Sequence, residues 1–235
     1  MTGRQKKESL RLGALISGGK DSLYAAFLLK KQGHELVCAI TIESSNPDSY
    51  MFHTPNTQLV RLQCEAMGLP LLTAKTKGVK EEELKDLKKA LSLAKKKYNI
   101  EGVTTGALYS QYQSDRIKKI CDDLGLKCLS PLWHMDQEAE LNSLLKHGFD
   151  IILVKIAAEG LDTSWLGKKI TAKDIDHLVE LSKKHGLNIA GEGGEYESLV
   201  LDCPLFKSKL KITASEIIKE SSNTAVMVIK KAELV

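Results

Sequence analysis

Ser17-Gly18-Gly19-Lys20-Asp21-Ser22 is the stretch of this chain best suited to chemistry, because its residue types together suit an anion. Gly18 and Gly19 let the backbone come close to a ligand and adopt positive φ. Lys20 supplies a point charge for phosphate, and Ser17 and Ser22 supply hydroxyl donors. The spacing is wrong for a Walker A loop, which needs four residues between its first glycine and its Gly-Lys pair. A second unusual stretch is Gly191-Glu192-Gly193-Gly194-Glu195-Tyr196-Glu197. Its glycines and carboxylates suit neither a helix nor a core strand, and they suit close contact with a cationic or metal-bound ligand.

The elements that must hold these residues follow from the apolar pattern. Leu12 to Ile16 reads as a buried strand, and Leu23, Ala25, Ala26, Leu28 and Leu29 open an amphipathic helix. The first stretch therefore lies between a strand and a helix N-terminus, whose backbone N–H groups lack internal partners. Strands are expected at 36–42, 71–74 and 102–108. Helices are expected around Leu59 to Met67, over Lys80 to Lys97 and over Ser110 to Leu124. This alternation predicts a parallel sheet covered on both faces, with ligands at the carboxyl ends of its strands. Beyond Pro131, Leu141, Leu144 and Leu145 suggest a helix and Ile151 to Ile156 a strand. Ile175, Leu178, Val179 and Leu181 give a helix closed by Gly186, and 199–201, 209–213 and 224–229 read as strands. The expected division is 1–130 and 131–235, with a cleft between.

The chain has 235 residues, 43% hydrophobic and 27% charged, with a net charge of +4. That is ordinary for a soluble globular protein. Arg4, Arg11, Arg61 and Arg116 are its only arginines, and aromatics are few, so no direct nucleic-acid role is expected. Cys38, Cys64, Cys121, Cys128 and Cys203 form no zinc spacing and no Cys-x-x-Cys pair. They read as reduced thiols. Met1 to Leu10 lacks the apolar core of a signal peptide, and no apolar run is long enough to span a membrane, so a cytoplasmic location is expected.

The order Ser-Gly-Gly-Lys-Asp-Ser resembles the pyrophosphate loop of the N-type ATP pyrophosphatases. Further segments narrow the likeness: Tyr50-Met51-Phe52-His53-Thr54-Pro55-Asn56, Gly68-Leu69-Pro70-Leu71, Pro131-Leu132-Trp133, Trp165-Leu166-Gly167, and Gly191 to Phe206 with Leu201-Asp202-Cys203-Pro204-Leu205-Phe206. With these the chain resembles the diphthine–ammonia ligases, PP-loop enzymes of the last step of diphthamide synthesis. The resemblance implies an α/β fold: a Rossmann-like parallel sheet of the PP-loop ATPase, adenine nucleotide alpha hydrolase-like kind, with a smaller C-terminal α+β domain. It implies an ATP-dependent amidation of diphthine on translation elongation factor 2, with ammonium as nitrogen source, through an acyl-adenylate, and with Mg²⁺ as cofactor.

On that resemblance Ser17, Gly18, Gly19, Lys20, Asp21 and Ser22 would hold the phosphates, with Asp21 also toward Mg²⁺. Ala39 and Ile40 would meet adenine through backbone groups, and Gly106 would border the nucleotide. Glu43, Tyr50, His53 and Tyr112 would face substrate or ATP. Glu192, Glu195 and Glu197 would contact the trimethylammonium or handle ammonia, on a loop shaped by Gly191, Gly193 and Gly194. Lys20, Asp21, Glu192 and Glu195 are the expected catalytic set. One segment departs from the family: Ser110-Gln111-Tyr112-Gln113-Ser114 stands where Ser-Asp-Tyr-Gln-Arg is usual. A homodimer is the expected assembly. Two other readings stay open on the residues alone: a PP-loop enzyme acting on tRNA, and a nucleotide-binding sensor without turnover.

Overall fold

The computed structural model describes residues 8–44, 59–79 and 81–235; Tyr50 and His53 lie outside the described residues. The elements run β1 (Arg11–Leu15), α1 (Lys20–Lys31), β2 (Glu35–Ser44), α2 (Val60–Met67), β3 (Leu71–Thr76), α3 (Glu83–Tyr98), β4 (Gly102–Thr104), α4 (Gln111–Asp123), β5 (Lys127–Leu129), α5 (Gln137–Lys146), β6 (Asp150–Ala157), α6 (Ala172–His185), β7 (Tyr196–Asp202), β8 (Leu210–Lys219) and β9 (Thr224–Leu234). A single 3₁₀ turn, Thr163–Trp165, lies between β6 and α6.

The first five strands form one sheet in the order β3-β2-β1-β4-β5, every pair parallel. This is the α/β sheet expected from the alternation. The direction of winding reverses between β1 and β4, and in such sheets the crevice outside the strands' carboxyl ends at that point receives the ligand. Residues alternate across β2 as the pleat requires. Cys38, Ile40 and Ile42 pack with Leu87, Leu91, Ile117 and Ile120 of α3 and α4. Ala39 instead joins Ala14, Leu23 and Val60 on the α1 and α2 side.

The remaining strands form an antiparallel sheet in the order β7-β6-β9-β8. Its core is continuous with the α1–α2 side of the first sheet: Tyr24 and Cys64 share one apolar cluster with Ile152, Leu178 and Val200. β7 is an edge strand, and its free edge meets the glycine loop. The Val200 N–H donates to the Gly18 carbonyl at 3.2 Å, and the Lys20 N–H donates to Ser198 Oγ at 3.1 Å. Gln63, fully buried on α2, completes the joint: its Nε2 donates to the Gly18 carbonyl at 3.0 Å and to the Val200 carbonyl at 2.8 Å. An unpaired strand edge is thus closed by the loop that follows β1.

The structure corrects the sequence reading in four places. β4 ends at Thr104 rather than 108, because its pairing with β1 and with β5 stops there; Gly106 then turns against α1. β5, three residues long, went unread, since so short an edge strand leaves almost no pattern. β8 extends to Lys219 because an edge strand exposed along most of its length needs no alternation of polarity. Tyr196 and Glu197 belong to β7, not to the glycine-rich loop before it.

Replacing Gln63 by Leu keeps the volume but removes both donated bonds, leaving the buried Val200 carbonyl without its Gln63 donor. Urea unfolding should show a loss of about 1–3 kcal/mol, the range for a buried polar group stripped of its partner.

Candidate functional site

Of the two glycines at the turn, only Gly18 adopts positive φ (+92°); Gly19 is extended, with φ −80°. Ser22 folds the loop on itself. Its Oγ accepts from the Ser17 N–H and the Ser17 hydroxyl, each at 3.2 Å, and donates to the Gly19 carbonyl at 3.1 Å. The serine hydroxyls expected to meet phosphate are thereby spent on shaping the turn. The amides of Gly19, Asp21 and Ser22 have no protein partner among the described residues. They sit at the N-terminus of α1, where the helix dipole adds to their attraction for an anion.

Gly106 explains why the next loop can approach. A Cβ there would stand 2.6 Å from the Asp21 carbonyl carbon and 2.6 Å from the Ser22 nitrogen, so only glycine fits against the first turn of α1.

Lys20 does not point into open solvent. Its side chain is almost fully buried, with Nζ 2.5 Å from Asp21 Oδ1 and 3.3 Å from both oxygens of Glu140 on α5. Burial opposes the ammonium, but the carboxylates of Asp21 and Glu140 outweigh it and hold Lys20 above its ordinary value. Glu140 is 0% exposed. Burial, and then the charge of Asp21, push its carboxyl up to about 9, against the opposing pull of the Lys20 ammonium. Asp21, with 27% of its side chain exposed, is the member that reaches the cleft.

The acidic loop approaches from the other side. Gly191 and Gly194 have φ of +75° and +88°, and the Tyr196 ring lies where a Gly191 Cβ would be. Glu192 accepts from the Tyr109 N–H at 3.3 Å; burial and the Asp21 charge raise its carboxyl above the ordinary value. Glu195 behaves differently. Its oxygens accept from the N–H groups of Asn188 (3.1 Å) and Gly193 (2.8 Å), so it ties the loop together and offers little to a ligand. Glu197 pairs with Lys155 at 3.5 Å, and burial pushes its carboxyl up to about 7. A cleft of about 150 Å³ remains, lined from one side by Ser17, Gly19, Lys20 and Asp21 and from the other by Gly191, Tyr196, Glu197 and Ser198.

Other expected positions lie elsewhere. Ala39 and Ile40 are not at a strand end: β2 continues to Ser44, and both residues are fully buried. The Ala39 N–H donates to the Pro70 carbonyl and the Ile40 carbonyl accepts from the Ile16 N–H, so these groups are already used. Among the described residues, only β3 pairs with β2 from Thr41 to Ser44, which leaves the β1-side edge of that stretch without a described strand partner. Glu43 lines a separate cleft with Lys75 and Lys77. Tyr112 donates to Glu81 at 3.0 Å and carries the Arg116 guanidinium 3.4 Å over its ring.

Glu140, Ser198 and Gln63 are the site residues the sequence reading missed. Glu140 left a readable sign: it stands four residues before Leu144 and beside Leu141, an acid on an otherwise apolar helix stripe. Ser198 and Gln63 left none, since their partners are backbone atoms brought together by the fold.

Residues 10–128 match the diphthamide synthase N-terminal domain and residues 136–235 the diphthamide synthase C-terminal domain. The chain belongs to the diphthamide synthase family. It is 39% identical over 233 residues to the diphthine–ammonia ligase of Mus musculus, covering 91% of this chain and 87% of that one. The diphthine–ammonia ligase of Danio rerio is 38% identical, covering 91% of each chain. That of Schizosaccharomyces pombe is 38% identical over 91% of this chain but only 38% of its own greater length. Among solved structures, a predicted subunit of tRNA methyltransferase from Methanocaldococcus jannaschii aligns with a TM-score of 0.42 and 18% identity, over 84% of this chain and 98% of that one, too loose a likeness to bear on function.

For the family's site, the buried carboxyl of Glu140 makes a pH prediction. A carboxyl group held above its unfolded value binds more protons when folded, so its contribution to stability is full below the unfolded value and is lost as pH climbs through the folded one. For Glu140 that window runs from its ordinary 4.5 to about 9. The corresponding loss at Glu197 is complete by about 7. Melting temperatures of the wild type should therefore fall between about pH 7 and about pH 9 more steeply than those of Glu140→Gln. Parallel curves would show that Glu140 is ionised in the folded state.

Proposed function

We propose that this protein is a diphthine–ammonia ligase that amidates the carboxylate of diphthine on translation elongation factor 2, using ATP and ammonium. The observation that most supports the reading is convergence. The Ser17–Ser22 loop and the Gly191–Ser198 segment, far apart in the chain, line one cleft at a helix N-terminus with unpartnered amides.

The chemistry suits that cleft. A carboxylate is a poor acylating group until a good leaving group is attached. Its oxygen attacks the α-phosphorus of ATP, the α–β bond breaks, and pyrophosphate leaves. Ammonia then attacks the acyl carbon and AMP departs. The amides of Gly19, Asp21 and Ser22 are donors for the phosphate oxygens, fixed in direction before the ligand arrives. Lys20 lies beneath them and acts as a buried positive charge that also fixes the Asp21 carboxylate at the mouth. The Gly191–Ser198 segment faces them across the cleft, and exclusion of water there once substrates are bound would protect the adenylate from hydrolysis.

Mg²⁺ fits the residues present. Among the described residues no group of three or more His, Cys, Asp or Glu is arranged to hold a metal alone. A cation shared between one carboxylate and substrate phosphates needs no such group, and Asp21 is placed for that part. When bound, Mg²⁺ would neutralise phosphate charge. Adenine is better matched to the strand-unpaired edge of β2 over 41–44 than to Ala39 and Ile40. Glu195 is assigned to shaping the loop rather than to catalysis.

We further assign residues up to about 130 to nucleotide binding and the remainder to the protein substrate, in a homodimer working in the cytoplasm. No described helix is long and apolar enough to cross a membrane.

The decisive measurement is pyrophosphate release from ATP, with Mg²⁺ and ammonium, with and without diphthine-bearing elongation factor 2. Release that requires the factor, with AMP in equal amount, is the expected result; none with the factor, despite ATP binding, would remove the assignment. Asp21→Asn, assayed below its own melting temperature, should lose about 100-fold or more of that release, the scale of one electrostatic group in a dry site, and should also melt below the wild type because the buried Lys20 loses its nearest carboxylate.

A further inference from the structure

Beside the phosphate loop stands a group of aromatic rings that the adenylation chemistry does not use. Tyr109 is 41% exposed, the one exposed Phe, Trp or Tyr ring among the described residues. The His134 ring lies 5.6 Å from it at 70°, and the half-buried Trp133 ring lies 4.7 Å from His134 at 81°. Successive rings near right angles make a corner with aromatic faces turned to solvent.

The corner is held in place. Leu132, fully buried, anchors the turn that carries Trp133 and His134. His134 has φ of +60°, a left-handed conformation that histidine adopts more readily than most side chains, and its N–H donates to the Leu108 carbonyl at 3.0 Å. The Tyr109 hydroxyl donates to the Met135 carbonyl at 2.8 Å, which fixes that ring against the turn.

A carboxylate completes the group. The Tyr109 N–H donates to Glu192 at 3.3 Å, so an anion lies at the rim of the rings. Gly106, three residues before Tyr109, touches Asp21, so the corner lies within about 11 Å of chain from the phosphate loop. Aromatic faces with a nearby carboxylate attract a cation too large and too apolar for full hydration, and quaternary ammonium groups are the class that such rings recognise. In diphthine the trimethylammonium is attached to the carbon that bears the reacting carboxylate. A subsite for it must therefore adjoin the phosphate loop, as this corner does.

We propose that Tyr109, Trp133 and His134, with the Glu192 carboxylate, form the subsite for the quaternary ammonium of the substrate side chain. The proposal rests on the amidation reading for the identity of the substrate. The subsite sets specificity: it seats the methylated nitrogen and so aligns the carboxylate with the α-phosphate. A side chain not yet methylated, with a smaller and strongly hydrated ammonium, gains less from the rings.

Two measurements test it. The first needs no turnover. Tetramethylammonium chloride is titrated against tryptophan emission, with sodium and ammonium chloride as controls; Trp165 is only 3% exposed, so Trp133 reports. A saturable change specific to tetramethylammonium is expected, weakened about fivefold or more in Tyr109→Leu and retained in Tyr109→Phe, which keeps the aromatic face. No saturable change, or an equal one in Tyr109→Leu, would overturn the subsite. The second compares amidation of diphthine-bearing elongation factor 2 with that of the factor lacking the methyl groups. Tyr109→Leu and Trp133→Leu, checked for wild-type melting, should raise KM for the methylated factor about tenfold, leave KM for ATP unchanged, and lose the preference for methylation. Unchanged KM and preference would overturn the role. Failure of the wild type to turn over either factor would instead count against the amidation reading, while the titration would still decide whether the rings bind a quaternary ammonium.

Discussion

The contact on which the rest of this site depends is the buried one between Lys20 and Glu140. Taking an ammonium and a carboxyl out of water is costly, and it is offset only where the remaining donors and acceptors are matched. Here an ammonium from the first turn of α1 meets carboxyl groups from α1 itself and from α5. Moving α5 away would leave a charged lysine buried with Asp21 alone. The contact therefore fixes where the second part of the chain sits relative to the phosphate loop. It also fixes Asp21, since the same Nζ holds that carboxylate at the mouth of the cleft.

The free edge of β7 works in the same direction. An edge strand presents unpaired backbone groups that must find partners. The partners here are Gly18, whose carbonyl accepts from Val200, and Gln63, whose amide bridges the two carbonyls. Ser198 takes the first amide of α1, and the next two have no partner among the described residues. The join between the sheets and the preparation of the anion site are thus one set of hydrogen bonds. Gly18 must be glycine because its positive φ turns its carbonyl into that set, and because a Cβ would press on Gln63 at 3.1 Å.

How far this could be read from the chain depends on where each residue's partners lie. Elements with strong local patterns were legible: the buried runs of β1, β2 and β6, and α6 with its Gly186 cap. The Ser17–Ser22 loop was legible because a strand, glycines and a helix start are consecutive. Its details were not: Ser22 turns its hydroxyl inward, and Lys20 pairs with a residue 120 positions away. The end of β2 was read two residues short because it is set by pairing with β3, which runs to Ser44↔Thr76, and that register is a tertiary property. The aromatic corner was invisible for the same reason. Tyr109 and His134 lie on different loops, and only the turn at Leu132 brings them together.

The three glutamates of the acidic stretch show how one residue type separates into three roles. Glu195 is consumed by the amides of its own loop, Glu197 by Lys155, and Glu192 is left at the rim. With Asp21 and Glu140 this sets several carboxyl groups around one buried lysine; burial first, and then the charge of Asp21, raise both Glu140 and Glu192. A protein gains nothing in stability from crowding acids in a dry place. The arrangement is matched instead by what the proposed reactants bring: a magnesium ion with the nucleotide and a quaternary ammonium on the side chain to be amidated. Each would remove part of the repulsion as it binds. On the proposed reading, cation and anion binding together would offset the clustered carboxyl charge and give partners to the amides of Gly19, Asp21 and Ser22 in one event.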